Sequence, residues 1–224
     1  MRRKTVITLV LFLTLCTCGP DVKFTEPQPQ NIPNLNAIPK EYYGQYKNQT
    51  DSTYLLIESD RIIQEWRSTE IVDRDSLEKE IKMKIKHDTT VQIIDKQILG
   101  KTDRINLSIT LINDSARVKI RAADILFTLS DSQIVRNYKK FCFLNYKTKD
   151  GYWLVKTLNL KGNKLDFSDL IDPKEIDEIS EITKITTVKD TSGKVMEYQL
   201  SPTKRQIRRI LREKKLDSDY IKQE

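Results

Sequence analysis

Histidine is almost missing from this chain: His87, beside Asp88, is the only one in 224 residues. One histidine cannot build a His-rich metal site. A Ser–His–Asp arrangement would need His87 to meet a serine across the fold, and no Gly-x-Ser-x-Gly turn presents one. Glycine is scarce too, with six residues, and there is no phosphate-cradling or dinucleotide loop. No Asp-rich loop carries the Gly and closing Glu of an EF-hand. Acidic residues are plentiful, but none is set apart as a pair for glycoside chemistry. The expectation is a protein that is not an enzyme and has no metal or cofactor.

Cysteine is limited to Cys16, Cys18 and Cys142. Cys142 stands among Phe141, Phe143 and Leu144, which suits a small buried apolar residue. A reactive thiol needs a nearby cation or helix N-terminus. There is only one long apolar run, the eleven residues Thr5 to Leu15, interrupted by Thr8 and Thr14. A spanning helix needs roughly 20 apolar residues. A shorter run after Arg2, Arg3 and Lys4 fits the core of a secretory signal instead.

Five of the seven prolines (Pro20, Pro27, Pro29, Pro33 and Pro39) fall in residues 18–39 among Gln and Asn. That composition predicts an extended tether of about 3 Å per residue. From Glu41 the pattern changes to short alternating runs. Ile105, Leu107, Ile109 and Leu111 alternate with polar residues, as do Val118 and Ile120. Ile125, Phe127 and Leu129 are expected to share a face. This period of two predicts antiparallel strands with one wet face.

Turn residues separate the runs at Glu58-Ser59-Asp60, Asn113-Asp114-Ser115, Ser130-Asp131-Ser132 and Thr191-Ser192-Gly193. Asp150-Gly151 suits a type I′ hairpin between 140–146 and 152–160. In the second of these runs Leu154 and Leu158 oppose Trp153 and Val155, so this strand should lie centrally. Residues 74–86 read as a short helix opened by an Asp75–Glu78 capping box, then a strand. The fold class is therefore mainly β: an antiparallel up-and-down meander, barrel-like or strongly curved, with a small α/β C-terminal extension.

In the extension, Asp172-Pro173 and Ser201-Pro202 each read as N-cap and first helical residue. The second helix carries a stripe of Ile207, Ile210 and Leu211. Lys204, Arg205, Arg208, Arg209, Arg212, Lys214 and Lys215 face only Glu213 in sequence. Such a helix suits a solvated surface, contact with anionic headgroups or a protein partner. An internal partner is also available in Asp172, Glu175, Asp177, Glu178 and Glu181. Nucleic acid is not expected as a partner.

Leu15-Cys16-Thr17-Cys18 resembles the lipobox of bacterial lipoproteins, with Leu15 three positions before Cys18. The frame ending at Cys16 places bulky Leu15 at the cleavage position. The resemblance implies a lipid attached at Cys18, cleavage before it, and anchoring to a membrane of the bacterial cell envelope on the extracytoplasmic side. Gly19 in place of Asp favours the outer membrane in a Gram-negative cell. Losing Arg2, Arg3 and Lys4 lowers the net charge from +7 to about +4. Tyr42-Tyr43-Gly44-Gln45-Tyr46 is similar to the Gly-x-Trp opening of lipocalin-like barrels, with Tyr46 in place of the tryptophan.

The implied organisation is a signal peptide (1–17), a Pro-rich flexible tether (18–39), an antiparallel β domain (40–170) and a C-terminal extension with a basic helix (171–224). The implied function is a lipid-anchored envelope lipoprotein with a non-catalytic binding or structural role. Its partners would be the membrane and either an envelope protein or a small apolar ligand. The last makes it a lipocalin-type carrier, and an envelope enzyme using carboxylates is the remaining alternative.

Overall fold

The computed structural model describes residues 19–51, 53–80, 89–94, 104–214 and 219–223. The first half contributes strands β1 (Asp21–Phe24), β2 (Gly44–Asn48), β3 (Thr53–Ile57), β4 (Arg61–Asp73), β5 (Thr89–Ile94), β6 (Arg104–Ile112) and β7 (Ser115–Thr128). The second half contributes β8 (Gln133–Tyr138), β9 (Phe141–Lys147), β10 (Trp153–Lys161), β11 (Lys164–Asp169), β12 (Ile185–Lys189), β13 (Val195–Leu200) and β14 (Tyr220–Lys222). Three helices accompany them: α1 (Arg74–Glu80), α2 (Ile176–Ser180) and α3 (Lys204–Glu213).

All these strands join one curved sheet that does not close into a barrel. Its long path runs β8-β9-β10-β11-β14-β2-β3-β4-β7-β6-β5, antiparallel throughout. The mainly β, strongly curved meander is as the alternating pattern predicts. The C-terminal segment is woven into it, since β14 lies between β11 and β2.

Strand β10 is the centre. It pairs with β9 along one edge and with β11 and β1 along the other. Both faces are buried. Trp153 and Val155 point into one cluster with Phe24, Phe143, Leu200 and Ile207. Leu158 points into another with Tyr46, Leu55, Ile62, Phe127 and Leu144. Each such side chain contributes about 1.5–3 kcal/mol when taken out of water. Cys142 belongs to the second cluster and is fully buried, and burial raises its thiol pKa well above the ordinary value. A smaller cluster of Ile109, Ala116 and Val118 lies on the β6–β7 arm beside Leu77 of α1.

The expected tether is not loose. Val22 and Phe24 alternate inward, and β1 runs parallel to β13 with Asp21 opposite Glu197 and Phe24 opposite Leu200. Lys23 bridges Asp150 (2.6 Å) and Glu197. These partners hold its pKa up at about 12, and Lys23 in turn draws Asp150 down to about 2. Further on, Asn145 clamps the Gln28 backbone: its Oδ1 accepts from Gln28 N (2.6 Å) and its Nδ2 donates to Gln28 O (2.9 Å). Arg136 donates to the carbonyls of Pro27 (2.5 Å) and Pro29 (2.8 Å) and to Asn34 Oδ1 (2.9 Å). The prolines remove few donors that a sheet would need. Leu35 N and Ile38 N donate instead to the backbone carbonyls of Val135 (2.8 Å) and Ser59 (2.8 Å).

Four local expectations also change. Ile125 and Phe127 do not share a face. Ile62 pairs with Phe127 and Ile63 with Ile125, so Leu126 is an extra residue and the bulge reverses the alternation. The Asp150-Gly151 turn spans Thr148–Tyr152, and only Gly151 takes positive φ (89°), so it is not type I′. Helix α1 is capped by Asp73, which accepts from Ser76 N (2.9 Å), rather than by Asp75. Helix α3 is capped by Thr203, two residues after the expected cap Ser201. The strand expected after α1, around 81–86, lies outside the described residues. Asp172 does cap the turn Pro173–Glu175, accepting from Lys174 N (2.8 Å).

The docked strand makes a direct test. Phe24→Ala should reduce the unfolding free energy by about 3–5 kcal/mol, the cost of emptying a buried aromatic site. Urea denaturation of the full chain measures it. A change near zero would show that 21–24 behaves as the loose tether its composition suggests.

Candidate anion-binding cleft

Helix α3 is fixed in rotation before its charges matter. Thr203 Oγ1 accepts from Gln206 N (3.4 Å), and Gln206 Oε1 accepts from Thr203 N (2.8 Å), a reciprocal cap. Gln206 Nε2 also donates to Ile182 O (2.7 Å). Ile207, Ile210 and Leu211 are then buried against the cluster that includes Trp153 and Val155. Arg205, Arg208, Arg209 and Arg212 follow at spacings of three, four and seven residues, so they share the opposite face.

These arginines border a cleft of about 1020 Å³ between α3 and two hairpin turns. The β8–β9 turn supplies Lys139 and Lys140, and the end of β10 supplies Lys161. Lys214 completes the lining, so among the described residues eight cationic side chains border the cleft and no carboxylate does. Phe141, Leu160 and Leu211 give it an apolar floor.

The cations differ in what holds them. Lys214 Nζ donates to the carbonyls of Asp169 and Leu170, and burial lowers its pKa against the opposing pull of Asp166, Glu175, Asp169 and Asp172. Arg209 pairs with Glu213 at 3.0 Å, and Arg212 approaches the same carboxylate at 3.7 Å. Among the described residues no acidic side chain pairs with Arg205, Arg208, Lys139, Lys140 or Lys161. The expected pairing of α3 with Asp172, Glu175, Asp177, Glu178 and Glu181 forms no ion pair among the described residues. Lys214, just past the helix, feels part of that stretch through Asp172 and Glu175. The acidic turn meets the helix through backbone and apolar contacts, which leaves the arginines facing outward.

The β8–β9 turn accepts unfavourable local terms. Tyr138 pairs with Phe141, so Lys139-Lys140 is a two-residue loop. Lys139 has φ +60°, a position that glycine usually fills. The Lys140 carbonyl accepts from Tyr42 Oη (3.1 Å) and Asn159 Nδ2 (2.9 Å), which pins the turn. The Tyr138 ring lies under both Lys204 Nζ (5.2 Å) and Lys139 Nζ (5.9 Å), tying turn to helix through cation–π contacts. At the neighbouring turn, Lys161 and Lys164 are directly opposite across β10 and β11, a repulsive pairing.

A second cavity, of about 840 Å³, is lined by residues of β1, β7, β9, β10 and β11. Ile125 and Leu126, displaced by the bulge, line it together with Leu154, Phe167 and Tyr146. Gly19 and Pro20 lie at its border. Tyr146 Oη is buried and has no hydrogen-bond partner among the described residues. Its ring packs edge-on against Phe127, and burial raises its pKa. Tyr46, placed where the lipocalin-like opening has its tryptophan, is fully buried and donates to Tyr42 O (2.8 Å).

Cys18 and His87 lie outside the described residues. Among the described residues there is no group of His, Cys, Asp and Glu able to hold a metal ion, and no helix long and apolar enough to cross a membrane. Compared with family models, curated proteins and solved structures, the chain gives no match. Sequence reasoning found α3 but not its partners in the cleft. The signals for Lys139-Lys140 and Lys161 were present as lysines at hairpin tips, where charge is unremarkable until the helix is placed.

Relief of the turn is measurable. Lys139→Gly should stabilise the fold by about 1 kcal/mol, because glycine takes the left-handed conformation without the Cβ clash. Thermal unfolding of the two proteins side by side decides it, and a destabilised variant would contradict the strain.

Proposed function

We propose that the chain is a non-catalytic binding protein of the bacterial cell envelope, anchored through a lipid on Cys18, and that α3 and its facing turns bind an anionic partner. The observation that carries this reading is the cleft itself, bordered among the described residues by eight cations and no carboxylate. Such a field attracts anions over about a Debye length, roughly 10 Å at 0.1 M salt. The lipobox-like Leu15-Cys16-Thr17-Cys18 supports the anchor. One acyl chain gives only marginal membrane binding, and two or more hold firmly. With β1 beginning at Asp21, only Gly19 and Pro20 separate Cys18 from the sheet, so the anchored body would lie close to the bilayer.

Two measurements test the two halves. Cys18→Ala should move the protein out of the membrane fraction or leave it unprocessed. If the Cys16→Ala/Cys18→Ala double variant fractionates like the parent, the anchor is wrong. For the cleft, the full chain in detergent should bind fluorescent dextran sulfate with an affinity that falls as salt rises. The Arg205→Glu/Arg208→Glu variant should bind at least tenfold more weakly. Equal binding by both proteins would remove the cleft from the proposal.

The second cavity favours another reading, a carrier of a small apolar ligand. Its volume is within the roughly 300–1,000 Å³ of ligand pockets, and Ile125, Leu126, Leu154 and Phe167 line it. Native mass spectrometry of protein extracted from its own cells should then show a co-purifying ligand that is depleted in Ile125→Glu. An empty protein in both forms argues against the carrier.

A further inference from the structure

We infer that the cleft is selective for phosphate: its ligand carries two or more phosphate groups, held by Arg205 and Arg208 from the helix and by Lys139, Lys140 and Lys161 from the turns. This rests on the anion-binding reading above and names its chemistry. A free polyphosphate and the phosphorylated headgroup of an envelope lipid share that chemistry.

The first argument is charge. Five cations border the cleft without an acidic partner among the described residues. A carboxylate brings one negative charge, whereas a phosphoryl group brings about 1.5–2 near neutral pH. Two phosphate groups thus bring roughly three to four charges at two points, where three or four separate carboxylates would be needed. The second argument is shape. A guanidinium presents a flat fork of donors that matches two oxygens of one phosphate, which an ammonium cannot do. Arg205 and Arg208 are one turn apart on the same helix face, so both forks reach one side of the cleft. The three lysines lie across from them as point charges, able to follow a second phosphate.

Rigidity is the third argument. The capping of α3 and its link to Ile182 O fix the arginine side. The lysine side is fixed where Tyr42 and Asn159 both donate to the Lys140 carbonyl. The remaining cations already have structural work. Lys214 is bound to backbone carbonyls, and Arg209 and Arg212 share Glu213. The volume, about 1020 Å³, accommodates much more than a single phosphate. Among the described residues no exposed aromatic ring lines the cleft for base stacking, which such a site for single-stranded nucleic acid would use.

The test is calorimetric titration of the full chain in a neutral detergent with three probes at equal ionic strength: pyrophosphate, dioctanoylglycerol pyrophosphate below its micellar concentration, and citrate. Pyrophosphate or the lipid pyrophosphate should bind at least tenfold more tightly than citrate, and the tighter of the two identifies the source. Arg208→Lys keeps the charge but loses the fork, so it should weaken the phosphate probe at least fivefold and leave citrate within twofold. Arg212→Ala, at an already paired cation, should change little. Citrate binding as tightly as either phosphate probe overturns the phosphate selectivity while the anion-binding reading stands. Dextran sulfate binding with no response to any small anion also overturns it. Failure of every anion, dextran sulfate included, removes both.

Discussion

Strand β10 has to bury both of its faces, and most of the architecture follows from that requirement. A strand with one wet face can sit at an edge or on a surface. Trp153 and Val155 on one side of β10 and Leu158 on the other cannot. The chain meets the demand by wrapping the meander over one face and laying the C-terminal segment over the other. Helix α3 is the cover on that second face. Its stripe of Ile207, Ile210 and Leu211 packs into the cluster around β10, and the arginines of the same helix are left to border the cleft.

The same demand explains the N-terminal segment. Strand β10 gives one edge to β9, and β11 occupies the other from Lys156 onward. The short stretch at Trp153 remains open, and Phe24 closes it. A four-residue strand is weak alone. Here it is held by a parallel partner in β13, by the Lys23 bracket and by two apolar side chains that complete a core. Under the proposed anchoring, this geometry turns a long flexible spacer into a two-residue hinge. The body would then keep a limited range of orientations to the membrane.

The meander, most hairpin turns, the buried Cys142 and the apolar stripe of α3 were legible because each is a local pattern. Period-two alternation and turn residues are read within ten positions. What was not legible depends on long-range partners. Proline density from Pro20 to Pro39 signals disorder when residues are counted, yet Arg136 and Asn145, more than one hundred positions away, supply the hydrogen bonds that order it. The bulge at Leu126 leaves no mark in composition, and it reverses the side to which Ile125 points. The acidic stretch after Asp172 looked like a charge partner for α3 because both are oppositely charged. Surface charge pairs are worth only about 0–1 kcal/mol, too little to set a docking that buried isoleucines already determine.

That weakness also explains how so much positive charge persists in one place. Solvent and salt reduce the mutual repulsion of exposed cations. A left-handed lysine costs roughly 1–2 kcal/mol, and the opposed Lys161 and Lys164 add a smaller penalty. Neither helps the fold: glycine would suit the first position, and an acidic residue would suit either side of the second. The two local costs fall at adjacent turns on the same cleft, on a platform that buried contacts already make rigid. Costs of this kind concentrate where a site is held ready for a ligand, and an anion entering here would convert the repulsion between helix and turns into attraction.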